Sequence, residues 1–150
     1  MQDARHFLKV ILGLIKQGSQ DVKVRELAIA ITRTAPDDRE KARRIFEYVK
    51  KQIAYTRDPV KLEDMQTARR TLTLRAGDCD DFTVLIGSLL ESIGIPSAAH
   101  LVRTKPAGEF NHIYPAAKIR GAEISLDVAA PRPVFDKLTF RTFKAMRAER

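Results

Sequence analysis

The chain has 150 residues, 44% of them hydrophobic and 31% charged, with one cysteine and a net charge of +8. That length suits one domain with a buried core, and a single cysteine excludes both an intramolecular disulfide framework and a cysteine-rich zinc site. The basic residues are dispersed from Arg5 to Arg150 without a lysine or arginine run or an RNA-stacking motif, so the charge reads as a solvated face rather than a nucleic-acid interface.

The apolar residues Phe7, Leu8, Ile11, Leu12 and Ile15 recur at helical spacing and predict an amphipathic helix over 4–17, closed near Gly18. Lys9 interrupts this stretch, which is too short to span a bilayer. It lacks the compact basic start and small-residue cleavage site of a secretory signal. A second helix is expected over 21–34, with Val24, Leu27, Ala28 and Ile31 on its inner face and Pro36 at its break. Asp37 or Asp38 caps a third, whose inner face is Ala42, Ile45, Phe46, Val49 and Ile53. Its early acids and the late Lys50 and Lys51 complement the helix dipole. Tyr55 to Pro59 leaves it as an irregular segment, and 60–76 reads as a short helical turn followed by an extended approach to Gly77.

Gly77-Asp78-Cys79-Asp80-Asp81-Phe82 opens the next helix. Asp78 is a good N-cap, and Asp81 three residues later approximates a capping box. Phe82, Leu85, Ile86, Leu89, Leu90 and Ile93 carry the helical period until Gly94 and Pro96 end it. Cys79 falls in the first turn, on the same face as Phe82. The helix N-terminus favours the thiolate, and a neighbouring imidazolium would favour it further. The carboxylates of Asp78, Asp80 and Asp81 oppose it. Two of them are expected to be engaged in capping or turned to solvent. Alkylation of Cys79 is therefore expected to persist well below the free-thiol pKa of about 8.5.

The period then changes to two. Ser97–Thr104 reads as a strand, 105–109 as a turn, Phe110–Ile119 as a second strand and Arg120-Gly121 as a tight turn. Ala122–Val128 is a third strand, with Ile124, Leu126 and Val128 on one face. Pro131 and Pro133 end the regular region, and the tail from Leu138 is expected to form a short basic helix. Helices followed by an antiparallel meander give an α+β fold, with the cysteine helix packed on the sheet. The expected organisation is one domain over 1–150, with a helical lead-in (1–36), a core (37–130) and a basic tail (131–150).

Strand alternation places Phe110, His112 and Tyr114 on one face, and turns Asp127 away from Leu126 and Val128. Pairing through the Arg120-Gly121 turn brings His112 towards Asp127, and the packed cysteine helix brings the thiol towards the imidazole. A thiol nucleophile, a histidine proton carrier and an orienting carboxylate are the roles that cysteine acyl transfer needs. Singly, each residue has a plainer use. A lone cysteine is often a small buried hydrophobe, a strand histidine is often simply hydrogen-bonded (as His6 and His100 are read), and an aspartate beside prolines is often a cap. The order Cys–His–Asp, each on a suitable element, carries the functional reading.

Arg43-Arg44-Ile45-Phe46-Glu47-Tyr48-Val49, Ile53-Ala54-Tyr55-Thr56-Arg57-Asp58-Pro59, Gly77-Asp78-Cys79-Asp80-Asp81, Gly94-Ile95-Pro96, Phe110-Asn111-His112-Ile113-Tyr114 and Ile124-Ser125-Leu126-Asp127 together resemble the transglutaminase-like superfamily, which shares the papain-like cysteine-protease architecture. The likeness covers roughly residues 37 to 130 and looks most like compact bacterial and tailed-phage members. It implies Cys79 as nucleophile, His112 as general base and acid, and Asp127 as orienter, with no metal or organic cofactor. The backbone N–H of Cys79 is one oxyanion donor and the Gln66 side chain a candidate for another. Two features depart from the pattern. Pro115 follows Tyr114 and should mark an edge or bulge, and the family's tryptophans near the histidine and aspartate are absent.

The resulting expectation is cysteine-dependent acyl transfer on an amide of a peptide, protein or peptidoglycan-like substrate, by hydrolysis (protease or amidase) or crosslinking. The basic surface suits an acidic substrate. The expected setting is cytoplasmic or virion-associated. Two other readings stay open: a catalytically silent scaffold or interaction module of the same fold, and a basic nucleic-acid-binding domain, whose sign would be salt-dependent retention on duplex DNA.

Overall fold

The structure, a computed structural model, describes residues 3–56 and 65–150. The expected irregular segment around Arg57–Pro59 and the first part of the 60–76 stretch lie outside the described residues.

Each N-terminal helix starts where an aspartate satisfies the first unpaired N–H groups. Helix α1 (Ala4–Ser19) is capped by Asp3, α2 (Val22–Thr32) by Asp21, and α3 (Asp38–Gln52) by Asp37. Their inner faces are those the spacing predicts: Phe7, Leu8, Ile11 and Ile15 on α1, Val24 and Ala28 on α2, and Ala42, Ile45, Phe46 and Val49 on α3. A two-residue strand β1 (Ala54–Tyr55) pairs in parallel with β2 (Ala76–Gly77). Between them lies α4 (Ala68–Leu74), ended by Arg75 in the left-handed conformation at φ 56°. The helical turn and extended approach read over 60–76 correspond to α4 and β2.

Helix α5 (Cys79–Ser92) is the centre of the molecule, and every residue from Cys79 to Leu90 is buried. Such a helix must be covered on all sides. Here α1, α2, α3 and α4 pack against it, as does the sheet. The approach of α1 is close. A Cβ on Gly18 would stand 2.1 Å from Ser88 Oγ, and one on Gly87 would stand 2.7 Å from Ile15 Cδ1.

The sheet comprises β3 (Ser97–Arg103), β4 (His112–Ile119), β5 (Ala122–Ser125) and β6 (Lys144–Glu149), in the antiparallel order β5-β4-β3-β6. In the β3–β4 register His112 stands opposite Val102 and Tyr114 opposite His100. Ile113 and Ala117, on the other face of β4, join the core beneath α5. Pro115 marks where the β5 pairing stops. Leu126 N–H donates to Pro115 O at 2.9 Å, and proline has no N–H to return.

Strand bounds are tighter than expected: β4 begins at His112 rather than Phe110, and β5 ends at Ser125 rather than Val128. The larger correction is the tail. It forms strand β6 instead of a short basic helix, paired along β3 from Arg103↔Lys144 to Ala98↔Glu149. Without it β3 would present an unpaired backbone edge. Met146 and Ala148 lean on the core, while Arg147 and Glu149 exchange ion pairs with Glu123 and Lys118. Pairing with β3 outweighs the helical propensity of the alanine, lysine and arginine residues.

Candidate active site

The start of α5 is fixed by a complete capping box. Asp78 Oδ1 accepts the N–H groups of Asp80 and Asp81, each at 3.1 Å. Asp81 Oδ2 accepts the Asp78 N–H at 3.0 Å, and its Oδ1 accepts the Gln66 N–H at 3.0 Å. Phe82 N–H donates to Asp78 O. Cys79 N–H is the member of this turn left without an acceptor among the described residues.

The Cys79 side chain is buried, at 8% exposure. Its sulfur lies 3.8 Å from Asp80 Oδ1, and the nearby Ile113 backbone N–H favours the thiolate electrostatically. The thiol thus meets β4 at the residue following His112. Among the described residues no hydrogen bond joins Cys79 Sγ to the imidazole. His112 and Asp127 do meet: Nε2 and Oδ2 are 2.6 Å apart, and Asp127 is 3% exposed. Asp127 Oδ1 also accepts the Ala129 N–H at 3.2 Å. This arrangement engages Nε2 with the carboxylate and leaves Nδ1 as the other proton-carrying atom.

An aromatic wall surrounds the imidazole. The Phe140 ring stands edge-on to His112, with centroids 5.3 Å apart at 87°, and contacts Tyr114 at 6.0 Å. Tyr114 in turn stacks on His100 at 5.0 Å, and His100 Nε2 pairs with Glu123 Oε1 at 2.5 Å. His100 is therefore a hydrogen-bonded structural residue, as read from the sequence. Burial pushes the Tyr114 hydroxyl up to about 12, with the fields of Asp127 and Glu123 acting the same way.

The electrostatics run against the expected resting thiolate. Burial pushes the Cys79 thiol well above its ordinary value, Asp80 adds to this, and Asp78 and Asp127 contribute, while the Ile113 N–H opposes them. Asp78 and Asp81 are the two engaged in capping, as anticipated, and the third carboxylate, Asp80, is buried beside the thiol. Burial, then Asp78 and Asp81, raise Asp80 to about 7, and burial raises Asp78 to about 6.

Gln66 does not face the site. Its Nε2 donates to Thr71 Oγ1 and Ala76 O, both at 3.1 Å, and so ties α4 to β2. Sequence reasoning missed Phe140, because the tail was read as helix. It also missed Asp80, whose direction depends on what α5 packs against. Among the described residues no three His, Cys, Asp or Glu side chains are grouped to hold a metal ion. No described helix is long and apolar enough to cross a membrane.

Residues 25–124 match the profile of the transglutaminase-like superfamily, two thirds of the chain and including both α5 and β4. The chain belongs to this superfamily. Solved structures agree on the fold. A "putative protease" from Parabacteroides distasonis superposes with a TM-score of 0.64 over 78% of this chain, at 16% identity. A "putative cysteine protease" from Cytophaga hutchinsonii does so with a TM-score of 0.63 over 85%, at 19% identity. The chain spans 25% of the first protein and 50% of the second. A search of curated proteins finds no match. This transglutaminase-like chain therefore shares the α+β architecture of those proteins. The superfamily match ends at residue 124, three residues before Asp127.

Proposed function

We propose that this transglutaminase-like protein is a cysteine-dependent acyl-transfer enzyme acting on an amide through Cys79, His112 and Asp127. The observation that carries the reading is the 2.6 Å His112–Asp127 bond, made by a histidine whose chain neighbour Ile113 lies close enough to the buried Cys79 thiol to favour its thiolate. Cys79 is the nucleophile. Because the thiol is held protonated at rest, its proton passes to His112 Nδ1 as Sγ attacks the carbonyl carbon. The oxyanion is met by the Cys79 N–H at the helix N-terminus. Collapse breaks the C–N bond, and the Nδ1 proton leaves with the amine. Water or a second amine then cleaves the thioester and restores the thiol. Asp127 holds the imidazole tautomer and stabilises the imidazolium.

The description of both structural neighbours as proteases favours hydrolysis over crosslinking, with a peptide, protein or peptidoglycan-stem amide as substrate. One observation favours the other reading, a catalytically silent scaffold: the thiol is buried and raised.

Trapping with hydroxylamine separates the two. The protein is incubated with casein, with peptidoglycan fragments and with a glutamine-containing peptide, and hydroxamate formation is followed by mass spectrometry. An acyl-enzyme gives hydroxamate from at least one substrate, lost in Cys79→Ala and in His112→Ala. Absence of hydroxamate and of amine release from all three, in protein whose Cys79 reacts with iodoacetamide only after unfolding, establishes the scaffold instead.

A further inference from the structure

Asp80 is a charged residue type placed where charge is costly. It is 3% exposed, and among the described residues its buried Oδ2 has no hydrogen-bond partner. Its other oxygen, Oδ1, is 3.8 Å from Cys79 Sγ. Capping does not explain it, because Asp78 and Asp81 form the capping box between them and Asp80 accepts no backbone N–H of that turn. Nor does an ion pair: among the described residues no lysine, arginine or histidine pairs with it. A bare carboxylate oxygen in such a place is unfavourable, whereas a carboxylic acid there can donate its hydroxyl to the neighbouring sulfur.

We propose that Asp80 is a positioning residue for the nucleophile, which as the neutral acid donates a hydrogen bond to the Cys79 thiolate as it forms, and as the carboxylate holds Cys79 protonated. This rests on Cys79 being the nucleophile. When the thiol proton leaves for His112, the Asp80 hydroxyl is the one side-chain donor on the same turn as the new anion. No proton is lost from Asp80, so it is ready for the next turnover. Ionised Asp80 does the opposite: it accepts the S–H and repels the thiolate. Among the described residues, the other titratable groups about this pair are Asp78 and Asp81 on the same turn, and Asp127 with His112 and Tyr114 from the sheet side. Asp78, Asp81 and Asp127 are acids that disfavour a second negative charge here. That matches the raised value of about 7 for Asp80, which keeps the acid form available near neutrality.

The test is the rate of Cys79 alkylation by iodoacetamide between about pH 5 and pH 10, in the native protein, Asp80→Asn and Asp80→Ala. In the native protein the rate should climb to about pH 7, level as Asp80 ionises, then climb again. Asn keeps a donor and cannot ionise, so the levelling should vanish. If its thiol pKa is one unit lower, the thiolate fraction rises about tenfold, while each anion is about threefold less nucleophilic. The net gain at pH 8 is then about threefold. Ala lacks the donor and should be slower than native below about pH 6. In unmutated protein, the Asp80 13Cγ resonance should titrate near pH 7 and shift in Cys79→Ser; this readout needs no Asp80 variant to fold.

Variants that trace the native curve at every pH, or an Asp80 that titrates in the ordinary carboxylate range, overturn the proposal. So does an Asn variant slower than native above pH 7, which would make the carboxylate itself the acceptor of the thiol proton. These results leave the nucleophile reading standing if His112→Ala still slows alkylation. A native thiol inert at every pH removes both.

Discussion

Asp127 connects the third strand region to the imidazole through one short contact, and its second oxygen is engaged by the Ala129 N–H. Replacing it with asparagine preserves shape and one acceptor but offers the imidazole an amide, which selects the wrong tautomer. By analogy with serine triads, Asp127→Asn should lower kcat on the order of 10³- to 10⁴-fold. Circular dichroism should report an unchanged fold at the assay temperature. A variant that melts well below native yet keeps its specific activity would make Asp127 a structural cap. At this scale the sequence was informative about identity and poor on orientation. Cys79, His112 and Asp127 were selected by order and element type, and two of the three now share a hydrogen bond. The inward turn of Asp80 and the diversion of Gln66 to Thr71 and Ala76 depend on side-chain direction, which no residue pattern encodes.

The cysteine is held against β4 by a helix wrapped in other helices, and α1 packs closely on α5 in that wrapping. At Gly18 an added methyl would meet Ser88 Oγ, Ser88 Cβ at 2.7 Å and Ala68 Cβ at 2.9 Å, short side chains with little room to give. At Gly87 the first contact is the far end of the longer Ile15 side chain. Gly18→Ala should therefore lower stability by about 1–3 kcal/mol, the usual cost of overpacking, and Gly87→Ala by less. Urea denaturation checks the order, and Gly18→Ala combined with Ser88→Gly should recover part of the loss. Equal midpoints for native and Gly18→Ala would contradict the close approach. The α1 to α3 and α5 helices were legible because caps and apolar spacing agree. Strand β6 was not. Its alternation is weak, its composition favours helix, and its reason for existing is the open edge of β3, more than 40 residues earlier in the chain.

Across the whole molecule, buried acids shape the response to pH. Asp78 and Asp80, raised to about 6 and about 7, bind protons more tightly in the native state than in the unfolded chain. The native state thus holds more protons between about pH 4 and pH 7, and these groups make stability fall as pH rises through that window. Asp21 and Glu123 are lowered, Asp21 by hydrogen bonds from Arg69 and two backbone N–H groups, and Glu123 by His100 and Arg147, in each case against burial. Their contribution has the opposite sign and is lost as pH falls from the ordinary carboxylate range to below it. The urea midpoint of the native protein should decline from about pH 4 to pH 7, and Asp80→Asn should decline less and stand higher at pH 8. Parallel curves for the two proteins would show that Asp80 ionises at an ordinary pH. The α+β class itself followed from the switch in hydrophobic period after Pro96, a signal spread over the whole chain and so insensitive to any one residue. The placement of Phe140 has a practical side. The chain contains no tryptophan and 3 tyrosines, so its emission spectrum above the tyrosine band is dark. Phe140→Trp would set a single indole edge-on to the His112 ring, in a molecule with no other indole. Protonated imidazole quenches indole and neutral imidazole does not. The brightness of that one lamp would then follow the charge on His112 in real time, during a pH jump or the first seconds after substrate is added.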